Sequence, residues 1–179
     1  MHSVVKYCRG IIFPMPILDK HSLDFISRSP EQTRRIGMRL GGLLQPGDLV
    51  CLQGNLGAGK TTFVQGIAQG WGASDEVSSP TFVLVNVYRR ADGSRLSHMD
   101  AYRIESAPEA EELDLDTMQN EGPLLIEWAD RIQEILPPER LWISLEHTGE
   151  EQREMRFHAE GKRCDEIIHQ LRLSMFGVD

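Results

Sequence analysis

Gly54-Asn55-Leu56-Gly57-Ala58-Gly59-Lys60-Thr61-Thr62 matches the phosphate-binding loop pattern G-x-x-x-x-G-K-[ST] without a mismatch. Its flanks are those that the pattern needs. Asp48-Leu49-Val50-Cys51-Leu52-Gln53 predicts a short buried strand, and Lys60 to Gly70 predicts a helix that opens directly at the loop. Glycine at 54, 57 and 59 permits backbone conformations that a Cβ forbids, and lets the chain approach a phosphate closely. The N–H groups of residues 57–62 are then expected to face one concavity at the positive end of the helix. Asn55, Leu56, Gly57, Ala58, Gly59, Lys60, Thr61 and Thr62 are therefore candidate nucleotide-binding residues. In such a loop the lysine serves the β- and γ-phosphates and the hydroxyl of Thr61 is a ligand for Mg²⁺.

Working outward, Ser29-Pro30-Glu31-Gln32 reads as a helix start, with Ser29 as cap, Pro30 at the first helical position and Gln32 completing a capping box. Ile36, Leu40, Leu43 and Leu44 follow at helical spacing, and Gln45-Pro46-Gly47 turns the chain into the strand before the loop. Residues 22–27 alternate as an edge strand would. After the loop helix, Ser78-Ser79-Pro80-Thr81 marks a turn, and residues 82–102 read as a β-hairpin around Ala91-Asp92-Gly93-Ser94. Pro123 to Glu127 predicts a buried strand, Leu141–Leu145 and Met155–Phe157 two more, and Cys164–Leu173 a closing amphipathic helix. The fold class is α/β: a three-layer phosphate-loop domain whose central sheet is mixed, because it contains a hairpin.

The chain has 179 residues, 40% of them hydrophobic, enough for one ordinary domain. Residues 1–20 carry no helical or strand period and contain Pro14 and Pro16, so a mobile N-terminal arm is expected there, with a single domain over 21–179. A formal net charge of −8 argues against direct, backbone-driven contact with nucleic acid. Cys8, Cys51 and Cys164 are scattered and odd in number, which fits reduced thiols. The apolar run 10–18 is too short to span a bilayer, and a cytoplasmic protein with no membrane contact is expected. From Ile104 to Asp130 there is no Lys or Arg, and nine residues are Asp or Glu. This is either a solvated acidic surface or a segment that meets a basic partner.

A triphosphate site needs a further acid at the end of a neighbouring strand. Glu127 follows Leu124-Leu125-Ile126, the Walker B arrangement with Glu in place of Asp; the alternative is an acid that caps the next helix. Asp100 ends Leu96-Ser97-His98-Met99-Asp100, where alternation puts His98 and Asp100 on one face. The two are candidates to act together on a water or on the metal, or else form a structural pair.

The ordered set Gly54–Phe63, Ser79-Pro80-Thr81-Phe82, His98-x-Asp100-x-Tyr102-Arg103, Glu112-Leu113 and Ile126-Glu127-Trp128 resembles the TsaE family, called YjeE in older usage. The likeness spans roughly residues 22–160. It implies an ATPase needed to form N6-threonylcarbamoyladenosine (t6A) at position 37 of tRNAs that read ANN codons. It implies ATP and Mg²⁺ as cofactors, with hydrolysis that is weak alone and partner-dependent. Residue by residue, it puts Lys60 on the phosphates, Thr61 and Glu127 on the metal, and Asp100 beside the γ-phosphate as the catalytic acid. Trp128 matches a tryptophan near the site, and Thr81 a switch-like segment that senses the γ-phosphate. Asn55 stands where an acid is common. The implied partners are TsaB and TsaD, on which the ATPase acts as a switch, with tRNA met only through that complex. The competing readings are a phosphate-loop kinase for a small metabolite, with Arg89, Arg90 and Arg95 as its lid, and a nucleotide-binding subunit without meaningful hydrolysis.

Overall fold

The structure is a computed structural model that describes residues 19–80, 84–105, 108–109 and 112–177. Of the expected arm over residues 1–20, only Asp19 and Lys20 fall among them. In chain order the strands are β1 (Ser22–Ser27), β2 (Leu49–Gln53), β3 (Val85–Arg89), β4 (Arg95–Asp100), β5 (Leu124–Glu127), β6 (Arg140–His147) and β7 (Arg153–Glu160). The helices are α1 (Pro30–Gly41), α2 (Lys60–Trp71), α3 (Leu115–Glu121) and α4 (Lys162–Phe176), with a 3-10 helix over Ala129–Ile135. One seven-stranded sheet runs in the order β1-β7-β6-β2-β5-β4-β3. The centre, β6-β2-β5-β4, is parallel, and both margins are antiparallel.

The central strand β2 is buried on both faces, as a strand in a parallel sheet must be. Val50 and Leu52 pack with Phe63, Val64 and Ile67 of α2, Ile36 and Leu40 of α1, and Ile167, Ile168 and Leu171 of α4. Leu49 and Cys51 point the other way, into a smaller core with Leu115 of α3 and with Ala129 and Ile132 of the 3-10 helix. That third layer stops short of the β7–β1 margin. The outward residues there, Asp24, Arg156 and His158, are exposed, so alternation polar-out and apolar-in marks these strands. Arg163 of α4 grips Asp48 with two 2.9 Å hydrogen bonds and so fixes the start of β2.

Local signals set most boundaries. Ser29 Oγ accepts from Gln32 N at 3.1 Å and caps α1. The Gln32 side chain reaches the N–H of Arg28 instead of Ser29, one residue outside the expected box. Helix α1 ends at Gly41 with Gly42 as its cap, so Leu43 and Leu44 lie beyond the helix that their spacing extended. The hairpin forms at Asp92-Gly93, with Gly93 at φ 84° and Ser94 N bonded to Asp92 Oδ1. Its second strand ends at Asp100, not at Tyr102. There Ala101 N donates to Glu127 O, and Tyr102 N turns back to Asp100 Oδ1 at 2.8 Å. Residues 82 and 83, expected in its first strand, lie outside the described residues. The acidic stretch divides as solvation requires. Glu105, Glu109, Glu112, Asp114, Asp116 and Glu121 are exposed, and Glu127 alone of its described acids is buried.

Helices α1 and α2 approach through glycines. A Cβ on Gly66 would collide with the backbone carbonyl of Arg34, and one on Gly41 with that of Ile67. Because the obstacle is backbone on both sides, neither helix can relax without moving the other. Gly66→Ala is therefore expected to destabilise the fold by at least ~2 kcal/mol, read as a lower denaturation midpoint; an unchanged midpoint would show that the helices slide apart freely.

Candidate functional site

Parallel pairing brings the C-terminal ends of β2, β5 and β4 to one edge of the sheet. Leu52 pairs with Glu127, and Glu127 with Asp100, so both acids sit in register beside the loop that leaves β2. Ligands in open α/β sheets bind at this carboxyl edge. The cleft there is lined by Leu56, Gly57, Gly59, Lys60, Thr61 and Thr62 from the loop and α2. Ser79, Asp100, Glu127 and Trp128 complete its wall.

Gly57 and Gly59 stand at φ 80° and 100°, in the left-handed region that the loop's path demands. Gly59 is the N-cap of α2 and offers no side-chain cap, and the first turn of α2 holds no acidic residue. The orphan amides of that turn and the positive helix end therefore face the cleft uncapped, and the acids of that cleft, Asp100 and Glu127, come from other strands.

Lys60 is buried, and its Nζ donates to Gly54 O at 2.6 Å and to Asn55 O at 3.1 Å. It also lies 3.8 Å from the centroid of the Trp128 ring, a cation–π contact. Burial lowers its pKa, against the opposing pull of Glu127, Asp100 and Asp130. Trp128 reaches this position because its backbone is left-handed, at φ 58°, where β5 turns into the 3-10 helix. Tyr102 packs on its ring, with centroids 5.0 Å apart.

Thr61 Oγ1 donates to Glu127, 3.1 Å from Oε1 and 3.4 Å from Oε2. A hydroxyl and a carboxylate side by side are hard oxygen donors of the kind Mg²⁺ takes while keeping waters and substrate oxygens. Among the described residues no group of three or more His, Cys, Asp or Glu forms a complete metal cage. The donor set therefore fits an ion held jointly with a phosphate.

Several expected site residues lie elsewhere. Ala58 is buried beneath the loop, and Asn55 lines a neighbouring cavity with Ser144, Glu146 and His147 on the far side of Trp128. Thr81 is outside the described residues. His98 does not join Asp100 at the cleft. It is fully buried behind Glu127, with Nε2 3.0 Å from Glu127 Oε1 and Nδ1 3.2 Å from the Tyr88 hydroxyl. Alternation placed His98 on the right face, but Glu127 and Tyr88 from the adjacent strands capture both ring nitrogens.

Two residues near the loop carry no local sequence signal. Arg153 of β7 is buried and donates to Thr33 Oγ1 at 2.8 Å. Its Nε has no hydrogen-bond partner, and no carboxylate among the described residues forms an ion pair with it. The guanidinium sits 3.3–3.4 Å from where a Cβ of Gly59 would stand, so an uncompensated cation lies under the phosphate loop. His147 Nε2 is 2.7 Å from Gly57 O and braces the loop from β6.

A glycine-rich loop between a parallel strand and an uncapped helix, with a lysine, a hydroxyl and two strand-end acids around it, defines an α/β protein of the P-loop fold. The chain belongs to the TsaE family, whose sequence model, described as threonylcarbamoyl adenosine biosynthesis protein TsaE, matches residues 27–155. It is 43% identical over 145 residues to the tRNA threonylcarbamoyladenosine biosynthesis protein TsaE of Bacillus subtilis, covering 80% of this chain and 89% of that one. It is 40% identical over 138 residues to the Streptomyces coelicolor protein of the same name, covering 76% and 86%. The crystal structure of Bacillus subtilis YdiB superposes with a TM-score of 0.74 at 37% identity, covering 86% of this chain and 95% of that one. The sequence resemblance and the phosphate-loop fold with its mixed sheet are thus both borne out.

Lys60→Ala is expected to remove most affinity for a nucleoside triphosphate while the fold persists; normal binding by calorimetry would contradict this. Wild-type affinity is expected to fall as pH rises, starting below the ordinary lysine range. Burial makes Lys60 lose its proton early, and phosphate favours the protonated form.

Proposed function

We propose that this protein is a Mg²⁺-dependent ATPase that acts in t6A formation as a switch on the TsaB–TsaD transferase, in the cytoplasm, and meets tRNA only through that complex. The observation that carries this reading is the contact of Thr61 Oγ1 with the buried Glu127 carboxylate at the mouth of a phosphate loop. Membership of a family named for threonylcarbamoyladenosine biosynthesis supports the pathway. No helix among the described residues is long and apolar enough to cross a membrane.

Each residue has a distinct task in this reading. Lys60 exchanges its bonds to Gly54 O and Asn55 O for phosphate oxygens, a like-for-like swap of charge-assisted hydrogen bonds. The amides of the first turn of α2 hold the phosphates, and Arg153 adds positive charge from below Gly59. Thr61 and Glu127 would hold Mg²⁺, which when bound neutralises charge on the phosphate oxygens. Asp100, at the cleft and in register with Glu127, orients the attacking water and accepts its proton at a carboxylate oxygen. In this reading the protein hydrolyses ATP weakly until a partner completes the cleft.

The kinase reading finds less support. Of its three arginines, Arg90 is held by the Trp71 carbonyl and ring and by Asp92, Arg95 is held by Glu121, and Arg89 is exposed at the end of β3.

The two acids separate under substitution. Glu127→Gln is expected to weaken Mg²⁺-dependent ATP binding and to lower turnover with it. Asp100→Asn is expected to keep ATP affinity within a few-fold and to lose ~10²–10⁴ in turnover. Both are expected to fail in a reconstituted t6A reaction with TsaB and TsaD. Equal losses of affinity, or full turnover in Asp100→Asn, would overturn the assignment.

A further inference from the structure

Behind the cleft, a file of buried hydrogen bonds runs from the Glu127 carboxylate to a surface loop. Glu127 Oε1 contacts His98 Nε2 at 3.0 Å as well as Thr61 Oγ1. His98 Nδ1 contacts the Tyr88 hydroxyl at 3.2 Å, and that hydroxyl is 2.9 Å from the carbonyl of Ser78. Asn86 Nδ2 donates to the same carbonyl at 3.1 Å. His98 is 0% and Tyr88 3% exposed, so water does not compete for these groups. Donor arithmetic limits how the file can be bonded. An ionised carboxylate only accepts, so the His98 proton facing it sits on Nε2. The single Tyr88 proton then goes either to His98 Nδ1 or to Ser78 O. The loop at the far end matters because its next residue, Ser79, lines the phosphate cleft.

We propose that His98 is a positioning residue for Glu127, and that Tyr88, whose one proton goes to His98 Nδ1 or to Ser78 O while its hydroxyl stays packed against both, sets the carboxylate and the loop carrying Ser79 as one unit. This rests on the reading of Glu127 as the Mg²⁺-side acid and adds to it. Two donors from different elements meet at one carboxylate oxygen, which fixes the plane of the carboxylate and keeps Oε2 beside Thr61 Oγ1. Groups that orient a metal's ligands in this way commonly change metal affinity ~10–100-fold when removed. Displacing Ser79 from the cleft would pull on Ser78, and through Tyr88 and His98 on the acid itself. The hairpin β3–β4 thereby carries a mechanical link between the loop and the metal side.

The test uses the full chain, as wild type, His98→Leu, His98→Gln and Tyr88→Phe, titrated calorimetrically with a non-hydrolysable ATP analogue in EDTA and in Mg²⁺. All four are expected to bind within ~2-fold of one another in EDTA, because the phosphate loop is intact. The gain of affinity on adding Mg²⁺ is expected to shrink ~10-fold in His98→Leu and ~3-fold in Tyr88→Phe. It should largely return in His98→Gln, whose amide keeps a donor toward Glu127. In Tyr88→Phe without nucleotide, backbone amides over 74–79 are expected to exchange hydrogen faster, because Ser78 O keeps only Asn86. An unchanged Mg²⁺ gain in a folded His98→Leu overturns the proposal. Should that variant not fold, an unchanged gain together with unchanged exchange in Tyr88→Phe overturns it. A wild-type protein that gains nothing from Mg²⁺ overturns the reading of Glu127, and this proposal falls with it.

Discussion

A carboxylate buried at the end of a central strand has to be satisfied, and the architecture around the cleft follows from how Glu127 meets that demand. Left unpaired, it would cost several kcal/mol or take up a proton. Thr61 and His98 supply its donors from the phosphate-loop helix and from the neighbouring strand. Each donor is there only because β5 pairs in parallel with both β2 and β4, in the register that sets Glu127 beside Leu52 and Asp100. A slip of one residue would turn Glu127 toward the opposite face and leave Thr61 and His98 without it.

Positive charge is arranged with the same economy. Lys60 lies folded on the loop carbonyls and on Trp128, Arg153 lies under Gly59 with no carboxylate among the described residues paired to it, and the first turn of α2 has no acidic cap. On a chain of net charge −8, the phosphate loop gathers cations and amides whose natural counterpart is an anion. The glycine contact between α1 and α2 contributes indirectly. It packs α2 hard against α1, and Thr33 of α1 anchors Arg153, so loop, helix and arginine keep a common frame.

Much of this was legible in the sequence because it is encoded locally. The loop, the Ser29 cap, the Asp92-Gly93 turn and the apolar run ending in Glu127 each announce themselves within a few residues. What was not legible depends on register and burial. Alternation put His98 and Asp100 on one face, but only the strand order shows that Glu127 and Tyr88 claim the histidine. Arg153 lies two residues ahead of the strand expected over Met155–Phe157, and nothing nearby says that it is buried under a loop ninety residues earlier. The left-handed turn at Trp128 has no glycine to mark it. The family resemblance pointed to that tryptophan, and the geometry supplies the reason, its contact with Lys60.

In the proposed cation site, Thr61 and Glu127 are the protein's half and a triphosphate completes it. The most direct measurement is anomalous scattering from Mn²⁺ in crystals grown with a non-hydrolysable ATP analogue. One peak is expected in contact with Thr61 Oγ1 and within one water of Glu127, with Lys60 released from Gly54 O onto phosphate. A peak held away from both side chains, or a bound nucleotide with Lys60 still on the loop carbonyls, would contradict it.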